Sequence, residues 1–130
     1  MSLRGPAVKK IYVLLGVFFL TLLYFHDVLT GKVLLVERDL TTFFYPFRSI
    51  WVETVRQGHF PFWNPYIKCG VPLFATIQPG VFYPLSLPYL FLPLDLAFNW
   101  TIVLHFFLAG AFTYGLMREL GASIQAALAG

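Results

Sequence analysis

Charged residues are scarce in this chain of 130 residues, of which 12% are charged and 58% are hydrophobic. Soluble domains carry about 25% charged residues, so the deficit argues against an ordinary soluble domain. The mean hydropathy of +0.74 agrees with a protein built for a lipid environment. The net charge of +3 is small, and no basic run is present. We therefore expect no nucleic-acid partner.

Cysteine is nearly missing as well. Cys69 is the single cysteine, so no disulfide can close within this sequence. The three histidines, His26, His59 and His105, lie far from Cys69 and from one another. Structural zinc sites use closely spaced ligand pairs, so we do not expect zinc.

Two long apolar segments predict membrane-spanning helices at residues 11–30 and 95–119. The first follows a short basic stretch, residues 1–10, and carries no charge through Phe25. About twenty helical residues cross a hydrocarbon core of roughly 30 Å. A signal peptide is the alternative for the first segment, but bulky residues follow where small ones would mark a cleavage site.

A third apolar helix is predicted to begin within residues 122–130, after Gly121 as a helix stop and with Ser123 as its cap. The part from Ser123 to Gly130 is too short for a span. The sequence therefore indicates the N-terminal part of a longer chain. Its predicted fold class is an all-α polytopic membrane protein with two transmembrane helices, the start of a third and a long external loop.

Basic residues near the spans predict the orientation. Arg4, Lys9, Lys10 and Arg118 fall on one side. The loop between the spans carries Lys32, Arg38, Arg48, Arg56 and Lys68. Basic residues tend to lie on the cytoplasmic side, so this count slightly favours a cytoplasmic loop. That tendency weakens in loops of about 60 residues, and the first span usually decides the orientation. We expect a cytoplasmic N-terminus and an extracytoplasmic loop.

The loop, residues 31–94, holds most of the nine prolines and many aromatic residues. Such irregular apolar backbone fits the membrane face or a protein-lined cavity. An amphipathic helix is predicted at 46–57, because apolar residues recur at helical spacing. Trp51 in this helix could lie at the headgroup level or pack on the protein itself. The proline-broken segment 79–93 is predicted to be re-entrant or interfacial.

Glu37 and Asp39 are the acids closest to the first span. On an extended segment both would point to one face, whereas on a helix they would diverge. They could act as a general base or hold a divalent cation, which is the one cofactor that the sequence suggests. The alternative is structural: Glu37 pairs with Arg38 or Arg48, and Asp39 caps a turn.

Further polar residues are candidates for substrate contact. Arg48 and Arg56 could bind phosphate through their guanidinium groups. Trp63 and Asn64 lie between prolines, where Asn64 would organise a turn or contact a ligand. Gln78 could bind backbone or substrate. His105 lies within the second span and would bond a neighbouring helix or face a cavity.

The order of "RDLTTFFYPFR", "GHFPFWNPYIKCGVPLFATIQPGVFYPL" and "LHFFLAGAFTYGLMRELG" resembles the N-terminus of the YfhO family of bacterial membrane proteins. The resemblance covers nearly the whole chain from Glu37 onward. That family is similar to the GT-C class of glycosyltransferases, which take sugar from a polyprenyl-phosphate carrier on the outer face of the membrane.

The resemblance implies an enzyme of the bacterial cytoplasmic membrane with many spans. Glu37-Arg38-Asp39 matches the acidic motif of that class, with Asp39 as the base and Glu37 as its helper. The helix 46–57 resembles the juxtamembrane helix of the first external loop. The implied partners are the lipid bilayer, a polyprenyl-phosphate-linked sugar and a glycan or protein acceptor of the cell envelope. A non-catalytic scaffold, a transport component or a lipid-carrier-binding component is the alternative.

Overall fold

A computed structural model describes the backbone of residues 6–35, 37–77 and 79–129, with side chains from residue 10 onward. Over these ranges the protein is mostly helical, which confirms the predicted all-α class, and its one extended pairing is an isolated bridge between Asn64 and Val71. The helices are α1 (Pro6–Tyr24), α2 (His26–Leu29), α3 (Tyr45–Arg56), α4 (Pro88–Phe91), α5 (Leu94–Glu119) and α6 (Ile124–Ala129). A π-helical turn, Leu40–Phe44, leads into α3, and a 3₁₀ turn, Pro84–Ser86, precedes α4.

Helix α5 is, within the described ranges, the helix that is long and apolar enough to cross a membrane. Its bounds agree with the predicted helix 95–119 to one residue. Asp95 lies in its first turn and Arg118 in its last, which matches the polarity of the helix dipole. Gly121 follows at a φ of +87°, a left-handed conformation that ends the helix as predicted.

The predicted helix 11–30 is divided in the structure. Helix α1 ends at Tyr24, Phe25 forms a turn, and the short α2 follows. Its apolar part, Lys10–Tyr24, is shorter than a membrane crossing. Hydrogen bonding continues across the break, because the N–H of Phe25 still donates to the carbonyl of Thr21. The helical path ends before Gly31, which has a φ of +77°.

Helices α1 and α5 pack side by side in opposite directions. Lys10 near the start of α1 lies 3.7 Å from the carboxylate of Glu119 at the end of α5. Further along, the rings of Phe18 and Phe107 meet edge to face with 5.2 Å between centroids. Close packing continues at Gly110, where a Cβ would lie 3.7 Å from the Val17 side chain. The two helices therefore form an antiparallel hairpin with small and aromatic residues at its interface.

The amphipathic helix is confirmed to within one residue at each end, as α3. Pro46 lies in its first turn, and Gly58 ends it at a φ of +79°. Of the two placements left open for Trp51, the structure bears out packing on the protein itself: the side chain is 3% exposed and packs against Tyr89. Burying the indole in the core between α3 and α4 removes more apolar area from water than an interfacial position would.

Prolines divide the segment before α5 into two short turns. Pro84 and Pro88 each stand in the first turn of a short helix, because proline lacks the N–H that a helix interior requires. At the other end of the chain, the hydroxyl of Ser123 accepts a bond of 3.2 Å from the N–H of Ala126. Ser123 therefore caps α6, as predicted.

Candidate functional site

The chain turns sharply within the acidic tripeptide. Arg38 has a φ of +51°, and its carbonyl accepts bonds from the N–H groups of Thr41 and Thr42. This left-handed residue starts the π-helical turn that leads into α3. The tripeptide is therefore neither wholly extended nor wholly helical, because Arg38 is left-handed whereas Asp39 has helical backbone angles, φ −61° and ψ −27°. Neither of the two regular geometries considered for Glu37 and Asp39 applies to it.

Glu37 and Asp39 are both exposed. The ion pairs formed among the described side chains join Lys10 to Glu119 and Lys32 to Asp27, and Nδ1 of His26 lies 3.3 Å from the carboxylate of Asp27. Neither Glu37 nor Asp39 takes part in them, so the structural alternative, in which Glu37 pairs with Arg38 or Arg48, is not found among the described residues. Asp39 stands at the cap position of the π-helical turn, but its side chain makes no capping bond there.

Asn99 holds the segment that leads to the tripeptide. Its side chain is fully buried, and its amide group donates to the carbonyls of Val28 and Val33, each across 2.8 Å. Its carbonyl oxygen accepts from the N–H of Leu35 across 2.9 Å. Sequence reasoning missed this residue. The available signal was an amide side chain inside an apolar helix, since polar residues in spans usually face protein.

Arg48 lies in an aromatic and hydroxyl-lined niche between α3 and α4. Its guanidinium carbon is 4.5 Å from the ring centre of Tyr89 and 5.6 Å from that of Trp51. One terminal nitrogen donates to the hydroxyl of Ser86 across 2.7 Å, and that hydroxyl donates to the carbonyl of Gly80 across 3.1 Å. We refer to Arg48, Ser86 and Gly80 as the arginine niche.

The charge of Arg48 is poorly compensated. Burial lowers the pKa of Arg48 from its usual value, because loss of water disfavours the charged form. No carboxylate lies within ion-pair distance of this guanidinium in the described parts of the chain. A partly dehydrated arginine without an acid favours an anion as partner, and its planar donors suit a phosphate.

Arg56 has a different environment. Its guanidinium donates to the backbone carbonyls of Tyr89, Leu90 and Leu92, at distances of 3.2 to 3.5 Å. These are the carbonyls at the end of α4, which a cation satisfies and stabilises. Arg56 thus ties α3 to α4, and these bonds occupy donors that the sequence prediction assigned to phosphate.

Trp63 and Asn64 form part of a tight turn. The buried Asn64 pairs with Val71 through its backbone, and its side-chain oxygen accepts from the N–H of Tyr66 across 3.0 Å. The turn predicted for Asn64 is therefore present. The indole of Trp63 covers Gly70, where a Cβ would lie 2.4 Å from the ring.

His105 connects α5 to the loop. Its Nδ1 lies 2.6 Å from the carbonyl of Thr101, so in the neutral ring Nδ1 carries the proton. Nε2 then accepts from the hydroxyl of Tyr83 across 2.6 Å. The partner of His105 is a loop tyrosine rather than a neighbouring helix, because the segment after Pro79 runs beside α5.

The structure does not bring the remaining candidate residues together into one site. Gln78 lies outside the described residues. No group of three or more metal-ligating side chains occurs within the described ranges. Asp39 and Arg48 are nine positions apart in the chain, with the π-helical turn and the first turn of α3 between them. The acids and the arginine niche are therefore separate features.

Together, the described ranges form a mostly helical structure in which one helix is long and apolar enough to cross a membrane, with an aromatic loop bonded to its side. Comparison of this chain with family models, with curated proteins and with solved structures gives no match.

Proposed function

We propose that this chain is the N-terminal part of an integral membrane glycosyltransferase. The enzyme moves a sugar from a polyprenyl-phosphate carrier to an extracytoplasmic acceptor, which is a glycan or a protein of the cell envelope. It is a multi-pass protein of the bacterial cytoplasmic membrane, with α1 and α5 as its first two spans. The resemblance of the loop to the YfhO family motivates the proposal.

The charge distribution on the helical hairpin supports two spans. Lys10 and Glu119 lie together at one end, while Asp27 and Lys32 lie beside Asn99 at the other. The stretch of α5 from Asn99 to Glu119 rises about 30 Å at 1.5 Å per residue, which is the thickness of a hydrocarbon core. The break at Phe25 lies within helical hydrogen bonding, so α1 and α2 together match this length.

The observation that carries the proposal is that the two acids of the tripeptide are accessible and unpaired. Asp39 and Glu37 are exposed and free of ion pairs in the described chain, and they follow directly after the end of the hairpin that Asn99 closes. An acid held by a salt bridge is a poor base, whereas an unpaired carboxylate can accept a proton. This position is also where the phosphate of a membrane-embedded carrier would lie.

In the proposed reaction Asp39 takes the proton of the acceptor hydroxyl while that oxygen attacks the anomeric carbon. The bond from this carbon to the carrier phosphate breaks, and the electron pair leaves with the phosphate oxygen. Arg48 meets the charge that develops there. In an inverting displacement the base and the leaving group lie on opposite sides of the reacting carbon, which is compatible with the separation of Asp39 and Arg48.

A carrier-binding component without turnover is the second candidate. The arginine niche favours it, because an uncompensated cation at the membrane surface binds a lipid phosphate whether or not chemistry follows. A scaffold or a transport component would need neither the unpaired acids nor the niche.

The test is Asp39→Asn in the full-length protein, reconstituted with a polyprenyl-phosphate-linked sugar. Because general-base catalysis contributes about 10²–10⁴-fold, we expect sugar transfer to fall by at least about 100-fold with normal membrane levels. The matched control is Glu53→Gln, since Glu53 is an exposed acid on α3 that bonds only Gln57. Unchanged transfer by the Asp39 variant refutes the proposed base. Carrier binding by a wild-type protein that transfers no sugar supports the second candidate.

A further inference from the structure

Four phenylalanine rings form an exposed cluster on the loop. Phe60 contacts Phe62 and Phe74 with ring centres 4.4 and 5.1 Å apart, and Phe74 contacts Phe82 at 5.2 Å. The exposed fractions are 44%, 64%, 41% and 72% in chain order. We call these residues the phenylalanine cluster. Its rings touch one another yet leave much of their area uncovered.

The cluster is attached to α5 through Tyr83, at a point nearer the middle of the helix than Asn99. Phe82 directly precedes Tyr83, whose hydroxyl bonds His105 on α5. His105 lies about 9 Å along the helix from Asn99, at 1.5 Å per residue, toward the centre of the predicted span. If Asn99 marks the outer boundary, the loop reaches past that boundary into the depth at which interfacial segments meet acyl chains.

The chemistry of the cluster matches this depth. Tryptophan and tyrosine carry a polar tip and collect at the headgroup level, whereas phenylalanine has none and favours hydrocarbon. Two polar-tipped rings, Trp63 and Tyr66, lie elsewhere on the loop and line an open cleft of about 460 Å³ with Glu53 and Gln57 of α3. The hydroxyl of Tyr83, which follows Phe82, is bonded to His105. The loop thus has one face with the phenylalanine cluster and one mixed face.

We propose that the phenylalanine cluster inserts into the acyl-chain region of the outer leaflet and anchors the loop to the bilayer. A contiguous exposed apolar patch marks a contact site. Tyr83, next to Phe82 in the chain, contacts His105 within the apolar helix α5, and this attachment to the proposed span favours lipid as the contact. The anchor fixes the height of the loop relative to the membrane surface, and with it the height of α3 and the arginine niche. The inference rests on the proposed span α5.

The experiment measures the depth of single nitroxide labels in phospholipid bilayers. In a Cys69→Ser background, which removes the one cysteine of the sequence, labels are introduced by Phe62→Cys and Phe82→Cys. Phe112→Cys on the exposed side of α5 reports the span, and Tyr66→Cys reports the mixed face. Accessibility to oxygen and to a water-soluble nickel chelate is read by power saturation.

We expect the labels at 62 and 82 to collide more with oxygen than with the nickel chelate, as the label at 112 does, and the label at 66 to show the reverse. Nickel access at 62 and 82 with oxygen access at 112 overturns the anchor and leaves the span intact. Labels at 62 and 82 that are shielded from both agents overturn it as well, because protein then covers the cluster. Nickel access at 112 refutes the span and, with it, both proposals.

Discussion

The side-chain amide of Asn99 donates to the carbonyl oxygen of Val33 across 2.8 Å, and the side-chain oxygen of the same residue accepts from the N–H of Leu35 across 2.9 Å. One buried residue of α5 therefore fixes the segment that leaves α2 and leads to the acidic tripeptide. It satisfies backbone groups that would otherwise lack partners where the chain is neither helix nor strand.

Asn99→Leu is expected to loosen this segment. Leucine fills the site with an apolar side chain that cannot hydrogen-bond, so the carbonyl of Val33 and the N–H of Leu35 lose their partner, while the carbonyl of Val28 keeps the bond from the N–H of Gly31. Each unsatisfied buried group costs about 1–3 kcal/mol. We expect a lower unfolding temperature and faster protease cleavage within residues 31–39. Thr113→Val, at an exposed position of α5, is the control, and equal behaviour of the two variants would refute this role for Asn99.

The two arginines of α3 are expected to separate in function. Arg48→Gln removes the uncompensated cation of the niche, so affinity for a polyprenyl-phosphate carrier should fall by about 10-fold or more, the equivalent of one charge-assisted hydrogen bond. Arg56→Gln loses the bonds to the end of α4 and should lower stability without changing carrier affinity. Calorimetry measures the carrier affinity of both variants, and thermal unfolding measures their stability. Equal losses of affinity would contradict the assignment.

Gly70→Ala is expected to destabilise the loop strongly. Gly70 has a φ of +111°, and a Cβ there would lie 2.4 Å from the Trp63 ring. The conformation alone costs about 1–3 kcal/mol for a residue with a side chain, and the indole must also move. Gly115→Ala in α5 meets nothing within 4 Å and should instead stabilise by roughly 0.5–1 kcal/mol. Denaturant titration of both variants measures the change in the free energy of unfolding. Changes in the same direction for the two variants would refute the prediction.

Alkaline pH is expected to weaken the contact between α3 and α4. Burial raises the pKa of the Tyr89 phenol above its usual value of 10.0, because the phenolate would lose water. Above pH 10 the unfolded state therefore loses this proton before the folded state does, and the free energy of unfolding falls as pH rises. Tyr89→Phe should flatten this dependence, while Tyr66→Phe at an exposed site should not. The free energy of unfolding of both variants is measured across alkaline pH, and tyrosinate absorbance follows the loss of the phenol protons. Equal pH dependence in the two variants would refute the role of Tyr89.

Local signals predicted much of the helical framework. The bounds of α3 and α5 follow from apolar periodicity, from Pro46 in a first turn and from the glycines at 58 and 121. Those features act within a few residues, so a sequence displays them directly. The same reasoning left the conformation of the acidic tripeptide open, because a left-handed Arg38 has no sequence signature as clear as that of glycine.

The sequence by itself determined that this protein is mostly helical, where α3 and α5 lie, and which acids and arginines its loop carries. Only the tertiary structure decided what these residues meet: that Trp51 is buried against Tyr89, that Arg56 caps α4, that Arg48 is left without an acid in the described chain, and that Asn99 holds the approach to Asp39. The physical reason is distance along the chain. Helix periodicity and capping are local, whereas these contacts join distant segments and depend on how α3, α4 and α5 pack.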